Sequence, residues 1–152
     1  RLSDELTLIN LQTGDVMGLA RPVNLKNASI DIIRAYAPDA FLTRPVHDTT
    51  KGTVAMMAPP EASVRAVNTP ARPAWMILPR YRAGAEAALT PMGNGTAFMQ
   101  IADNAMNYHI LGPRGFEAVG RMVDECRSYS FEYSRLDDAI AIFDRLAAES
   151  AS

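Results

Sequence analysis

The sequence is poor in the features that mark secreted, membrane and disulfide-stabilised proteins. Cys126 is the only cysteine among 152 residues, which excludes an internal disulfide and favours a reducing compartment. No apolar run approaches the roughly 20 residues that a membrane-spanning helix needs, and no stretch has the pattern of a signal peptide. We therefore expect a cytoplasmic protein that does not span a membrane.

An excess of positive charge is also missing. The formal net charge is −2 at pH 7, whereas a nucleic-acid surface normally shows a basic excess or stripe. Nucleic acid is therefore not an expected partner. Hydrophobic residues make up 48% of the chain and charged residues 21%. This balance indicates a globular protein, and the length suits one domain with a sizeable core.

Several nucleotide, metal and hydrolase motifs are absent as well. The chain contains no GxxxxGK[ST], no GxGxxG, no CxxC, no HExxH and no GxSxG. These patterns supply phosphate loops, zinc ligands and nucleophile elbows. Residues 1–152 therefore do not predict a self-contained nucleotide enzyme or a zinc protein.

Lysine is scarce, since only Lys26 and Lys51 are lysines among 15 basic residues. Both lie in small, polar surroundings, and Lys51 belongs to the segment HDTTKGT together with His47. Glycine and threonine beside a lysine suit an anion, because backbone N–H groups can approach it there. Two interpretations remain open: a phosphate- or carboxylate-binding loop, or an ordinary connector with solvated lysines.

Strand patterns dominate the first half of the chain. Residues 5–11 alternate as a strand does, and residues 16–19 are a candidate hairpin partner across the turn QTGD. An apolar strand is predicted over 53–58. A continuous apolar run over 73–79 predicts a strand buried on both faces. One short helix, capped by Asn27 or Ser29, is expected to end at Pro38.

Helical spacing dominates the second half. Residues 95–109 and 113–127 are predicted helices, and 136–149 is predicted as a final amphipathic helix. The final helix is predicted to face inward with Leu136, Ile140, Phe143 and Leu146. The helix before it is predicted to share one apolar face, formed by Phe116, Val119, Met122, Val123 and Cys126. Only a short strand, SYSFEY, and one near 87–90 are expected there. The pattern predicts an α/β domain, with strands mainly in the N-terminal half and helices in the C-terminal half.

Two adjacent acids stand at the start of the first predicted strand. Alternation places Asp4 on the same side as Leu6 and Leu8, with Glu5 on the other side. A carboxylate in register with leucines must be paired or lie at an open strand end, because burying it alone is costly. Asp4 is therefore either a strand-edge acid that pairs with an arginine, or a general base or Mg²⁺ ligand.

Five segments, taken together, are similar to one known family. They are LSDEL, RPVNLKNASIDIIRAYAP, HDTTKGTVAMMAPP, RPAWMILPRYRAGA and YSFEYSRLDDAIAIFDRL. They resemble the C-terminal part of the HPr-kinase-related kinases (HprK-related kinase A), relatives of HPr kinase/phosphorylase. The resemblance runs over essentially all of the chain. It implies an α/β fold of the HPr-kinase and PEP-carboxykinase type, with residues 1–152 forming one truncated catalytic domain.

The resemblance also implies site residues and cofactors. In that family a phosphate loop and its lysine lie upstream of the acidic motif that LSDEL resembles, so the chain would begin just after them. Asp4 would then act as the catalytic base and would bind Mg²⁺ together with Glu5. Lys51, His47 and Lys26 would bind phosphate or substrate, and the cofactors would be ATP and Mg²⁺.

The implied activity is transfer of the γ-phosphoryl group of ATP to a hydroxyl of a protein, a peptide or a small molecule. No clear match to the segment that contacts HPr is present, so HPr itself is not the expected substrate. A small peptide-binding chaperone, with which this subfamily is associated, is a candidate partner. The chain alone is expected to be inactive, and exposed Leu6, Leu8 and Ile9 would favour homo-oligomers. The alternative is a non-catalytic peptide- or protein-binding module.

Overall fold

The computed structural model describes residues 5–150 and has mixed α/β structure with small sheets. By its internal contacts the chain divides into two units. The first comprises the described residues up to 71, apart from residues 11–14, and the second comprises residues 11–14 and those from 72 onward. The prediction of a single truncated domain stays a prediction.

The first unit opens with a short hairpin and continues into a three-stranded antiparallel sheet. Strands β1 (Leu8–Ile9) and β2 (Val16–Met17) form the hairpin. The sheet has the order β3-β5-β4 and is built from β3 (Val23–Lys26), β4 (Val46–Thr49) and β5 (Gly52–Met57). Two helices, α1 (Ala28–Tyr36) and α2 (Glu61–Arg65), complete the unit.

One face of this sheet is buried and the other is open. Alternate residues of β3 and β5 meet Ile30 of α1 in a small core of Val23, Leu25, Ile30 and Ala55. Because neighbouring residues of a strand point to opposite faces, Lys26, Val54 and Met56 lie on the other side. Met56 is 40% exposed and Val46 is 60% exposed, so this second face is available to a ligand.

The second unit is a three-stranded mixed sheet with helices on both faces. The sheet has the order β6-β8-β7, with strands β6 (Trp75–Tyr81), β7 (Ala88–Pro91) and β8 (Arg127–Tyr133). Strand β8 is parallel to β6 and antiparallel to β7. The helices are α3 (Asn94–Asn104), α4 (Tyr108–Leu111), α5 (Pro113–Glu125) and α6 (Leu136–Ser150).

Each face of the second sheet has its own core. On one face, α3 and α5 contribute Ala97, Val119 and Val123, and Met76 and Met92 pack against them. On the other face, α6 contributes Ala139, Ile142 and Leu146 around Phe131 of β8. Phe131 is only 1% exposed, the least of any large side chain among the described residues. Strand β8 is therefore the centre of the core that α6 covers.

The expected order of strands and helices is largely confirmed, but several details were wrong. Pairing of the first strand is limited to two residues, although the predicted hairpin forms. The apolar run that becomes β6 lies at a sheet edge and is half-buried rather than buried on both faces. Strand β4 was not expected, because VHDT has no apolar alternation. The strands predicted near 87–90 and at SYSFEY are confirmed as β7 and β8, and most strands lie in the first half as expected.

The predicted inward faces of α5 and α6 are also corrected. Phe116 is 60% exposed, whereas Val119 and Val123 of the same helix are buried. In α6 the buried residues are Ala139, Ile142 and Leu146, and Phe143 is 40% exposed. Alanine can pack closely against a sheet because its side chain is small. The buried faces of α5 and α6 are therefore rotated away from Phe116 and Phe143.

No helix among residues 5–150 combines the length and the apolar character needed to cross a bilayer. This agrees with the absence of long apolar runs in the sequence. The cellular compartment stays a prediction.

Candidate functional site

The segment HDTTKGT forms the end of β4, a tight turn and the start of β5. Two residues have a positive φ, Asp48 at 57° and Gly52 at 82°. The Thr49 hydroxyl donates to the Gly52 carbonyl at 2.6 Å and accepts from the Lys51 N–H at 3.1 Å. These bonds give the turn a defined shape, with the Lys51 side chain exposed at its tip.

Asp48 also marks an irregularity between the two strands. Val46 pairs with Val54, whereas Thr49 pairs with Gly52, so one extra residue is accommodated in β4. A β-bulge of this kind bends its strand and changes where the following side chains point. The bulge therefore sets the position of the turn that carries Lys51.

A cavity of about 360 Å³ lies on the open face of the sheet, beside this turn. Val46, Val54 and Met56 provide apolar surface, and Thr49, Thr50 and Lys51 line its polar side. Within the described part of the chain, Lys51 has no ion-pair partner. The cavity therefore combines an apolar floor with a free ammonium group, which suits a ligand with an apolar body and an anionic end.

Lys26 lies on the same face as the cavity but does not line it. It pairs across the sheet with Val54, and directly opposed residues point to the same face. Its backbone N–H donates to Ser29 Oγ at 2.8 Å, and Ser29 Oγ donates to the Lys26 carbonyl at 2.7 Å. The backbone of Lys26 is thus held at the end of β3, and its exposed side chain adds positive charge to the open face.

His47 is in the same hairpin, but its side chain points to the opposite face. Its ring Nδ1 lies 3.1 Å from Thr53 Oγ1, and Thr53 adjoins Val54 of the cavity floor. Since adjacent strand residues face opposite sides, the His47 ring lies away from the cavity. The structure brings Lys51 and Lys26 to one face of the sheet and places His47 on the other.

Asn27 holds the start of β5 against the end of β3. Its N–H donates to the Thr53 carbonyl at 2.9 Å, and its Oδ1 accepts from the Thr53 N–H at 3.0 Å. The expected N-cap role is therefore wrong for its side chain, because no side-chain cap bond forms at the start of α1. Asn27 adopts a positive φ of 49°, which is uncommon for a residue other than glycine.

Gly52 is the position where we expect the hairpin to be most sensitive to a small change. A Cβ there would collide with Asn27 Oδ1, and the φ of 82° disfavours any L side chain. Gly52→Ala should therefore destabilise the first unit by about 1–3 kcal/mol. Native-state hydrogen exchange at the amides of Thr53 and Ala55 would measure the loss.

Gly84 offers a matched control for this substitution. Its φ is 74°, but a Cβ there would meet nothing within 4 Å. Gly84→Ala should therefore show the cost of the backbone conformation without the collision. The loss of stability is measured for each variant in the unit that contains it. Equal losses would mean that the close approach of Asn27 to Gly52 does not add to the cost of Gly52→Ala.

The predicted acidic site is only partly within the described residues. Asp4 lies outside them, and Glu5 is exposed. No group of three or more histidine, cysteine, aspartate or glutamate side chains that could hold a metal ion occurs within residues 5–150. Glu5 alone does not make a Mg²⁺ site, so the assignment of Mg²⁺ to Asp4 and Glu5 stays an expectation from the resemblance.

Cys126 is buried at the end of α5, as its core position predicted. Burial raises the pKa of its thiol, and the neighbouring Glu125 carboxylate raises it further. Because the thiolate is the reactive form, Cys126 is not a candidate nucleophile.

Sequence reasoning identified Lys51 but missed the cavity beside it. The floor residues Val46, Val54 and Met56 come from two strands, and only the pairing register brings them together. Alternation in TVAMMA was the available signal, because it separates Val54 and Met56 from the buried Ala55. The partner strand β4 carried no such signal.

Comparison with known proteins identifies no relative. No family model matches the chain, and no curated protein and no solved structure matches it either.

Proposed function

We propose that this chain is part of an ATP-dependent kinase and that the β4–β5 hairpin binds a phosphate-bearing group during phosphoryl transfer. The observation that carries the proposal is the unpaired Lys51 ammonium beside a cavity with an apolar floor. Lysine is a common phosphate-binding residue, and phosphoryl transfer depends chiefly on positioning and charge stabilisation. The sequence resemblance to the HPr-kinase-related kinases, which implies their fold, supports the same assignment.

The residues of the open face have distinct roles in this proposal. Lys51 meets the oxygens of the phosphoryl group and offsets their negative charge. Lys26, on the same face but outside the cavity, adds longer-range attraction for an anion. Val54 and Met56 contact an apolar part of the substrate, which keeps water from one side of the Lys51 ammonium.

Asp4 and the cofactors enter on the resemblance alone. Asp4 would accept the proton of the attacking hydroxyl, and Mg²⁺ would neutralise phosphate charge when bound. The hydroxyl belongs to a protein, a peptide or a small molecule. His47 would act through Thr53, because its ring does not face the cavity.

The upstream sequence of the natural protein offers a direct test. A GxxxxGK[ST] motif within about 30–60 residues of Arg1 would fit the strand–loop–helix unit that the proposal requires. An open reading frame of that length without such a motif would contradict the kinase assignment and favour a non-catalytic binding module.

Residues 1–152 alone should bind ATP–Mg²⁺ weakly and should transfer no measurable phosphate, because they contain no phosphate loop. Isothermal titration calorimetry and transfer of labelled phosphate from ATP would measure both properties. A dissociation constant in the range of about 1–10 μM, equivalent to roughly 7–8 kcal/mol of binding free energy, would contradict the placement of the main phosphate cradle outside these residues.

A further inference from the structure

The outer edge of β6 has a defined set of backbone groups. The Ala74 carbonyl accepts from the Arg127 N–H at 3.0 Å, and the Arg82 N–H donates to the Tyr133 carbonyl at 2.9 Å. Backbone groups of alternate strand residues point to the same side, so even-numbered residues from 74 to 82 face β8. The N–H and C=O groups of Trp75, Ile77 and Tyr81, with the C=O of Pro79, therefore point to the outer edge.

This edge has no strand beside it among the described residues. Strand β6 is the terminal strand of its sheet and pairs only with β8. No backbone hydrogen bond to the outward groups of Trp75, Ile77 or Tyr81 is seen within residues 5–150. Pro79 has no N–H. Because its backbone groups point to the outer edge, the missing N–H costs no hydrogen bond to β8.

An exposed edge normally carries protection, but the first part of β6 carries none. Native edge strands are usually short, charged or covered, whereas β6 has seven residues and its first four are Trp-Met-Ile-Leu. All four are only half-buried. An open edge with four consecutive apolar residues is a template for another strand.

The carboxyl end of β6 adds a charge preference. Arg80 is exposed and lies opposite Glu132 of β8, but Glu132 pairs with Arg82 at 2.9 Å. Arg80 has no ion-pair partner within the described part of the chain. A strand added at the outer edge would place one residue directly beside Arg80, and an acidic residue is favoured there.

We propose that the outer edge of β6 is a binding site for an extended peptide segment of another protein. The segment adds a strand to the β6-β8-β7 sheet, with apolar side chains beside Trp75–Leu78 and a carboxylate beside Arg80. This function is separate from phosphoryl transfer, since it uses the second unit and none of the residues of the hairpin cavity.

The backbone part of the proposal can be tested with a fluorescein-labelled octapeptide in which valine alternates with threonine and one end carries a glutamate. Its binding to residues 1–152 is followed by fluorescence anisotropy. N-methylation of two alternate amides that face β6 should weaken binding by about fourfold to a hundredfold, because each lost hydrogen bond costs about twofold to tenfold. Methylation in the other phase should have little effect. Equal effects of the two phases, or no binding of the parent peptide at millimolar concentration, would overturn the proposal.

The charge preference can be tested by exchange. Arg80→Glu should weaken binding of the glutamate peptide about threefold to tenfold and should strengthen binding of the matching lysine peptide. Arg114→Glu is the control, because Arg114 is an exposed arginine of α5 outside this sheet. Circular dichroism checks that each variant folds. If both peptides bind Arg80→Glu as they bind the parent, the site is not at this edge.

A second copy of the chain is the competing occupant. Sedimentation equilibrium of residues 1–152 distinguishes the two cases. A monomer that binds the peptide supports the proposal. A dimer that the octapeptide cannot dissociate, together with no peptide binding, would assign the edge to self-association and would overturn it.

Discussion

Phe131→Ala should lower the free energy of unfolding of the second unit by about 3–5 kcal/mol, the range for truncating a buried phenylalanine. Phe131 lies on the central strand β8 and is 1% exposed. Its ring stacks on Tyr133 with centroids 5.1 Å apart and meets the edge of Phe143 at 5.4 Å. Both contacts and the packing of Ala139, Ile142 and Leu146 would be lost at once.

The single tryptophan reports on this core. Trp75 packs against the cluster around Phe131, so urea unfolding followed by its fluorescence measures the second unit directly. Phe116→Ala is a suitable control, because Phe116 is 60% exposed and its ring contacts Phe98 at 5.0 Å. We expect a loss of about 1 kcal/mol for the control. Similar losses for the two variants would mean that β8 is not the centre of the core.

Local sequence patterns predicted the elements that are marked by a turn or by apolar residues at a regular spacing. The final helix α6 and the strand β8 were expected because their apolar residues recur at the helical and strand periods. The first hairpin was expected because a glycine-containing turn separates two short apolar stretches. These signals depend on neighbouring residues alone, and so a single sequence carries them.

The position of an element in its sheet depends on contacts that the sequence does not state. A continuous apolar run indicates burial, yet β6 is a terminal strand with an open edge. Strand β4 forms because β5 offers it hydrogen bonds, although VHDT has little strand pattern of its own. The rotation of α6 similarly depends on the sheet that it covers, where Ala139 is buried and Phe143 is only partly covered.

The candidate site shows the same division between local and non-local information. Lys51 was singled out from its polar segment, and the structure places it at the tip of the β4–β5 turn. The apolar floor beside it requires the pairing of Val46 with Val54. The face on which His47 lies requires that register too, and a one-residue shift would reverse it. The sequence could therefore single out candidate residues, whereas their arrangement on the sheet could not be predicted from it.

Lys51→Met should lower the kcat/KM of the proposed full-length kinase by roughly tenfold to a thousandfold. The substitution removes the ammonium and keeps an unbranched side chain of similar length. The expected range corresponds to one charge-stabilising contact worth about 1.5–4 kcal/mol. Stability should change by less than about 1 kcal/mol, because Lys51 is exposed and makes no ion pair within the described part of the chain.

Two measurements separate a binding role of Lys51 from a structural one. Steady-state kinetics give kcat/KM, and NMR titration of residues 1–152 with phenyl phosphate reports on the amides of the hairpin. Arg21→Met is the control, because Arg21 is an exposed basic residue of the first unit that does not line the cavity. Lys51→Met should abolish the phenyl phosphate shifts and reduce turnover, whereas Arg21→Met should do neither. If Lys51→Met leaves both unchanged, or lowers the melting temperature as much as a core truncation, the hairpin is a structural connector, and Asp4 alone remains as a candidate catalytic residue.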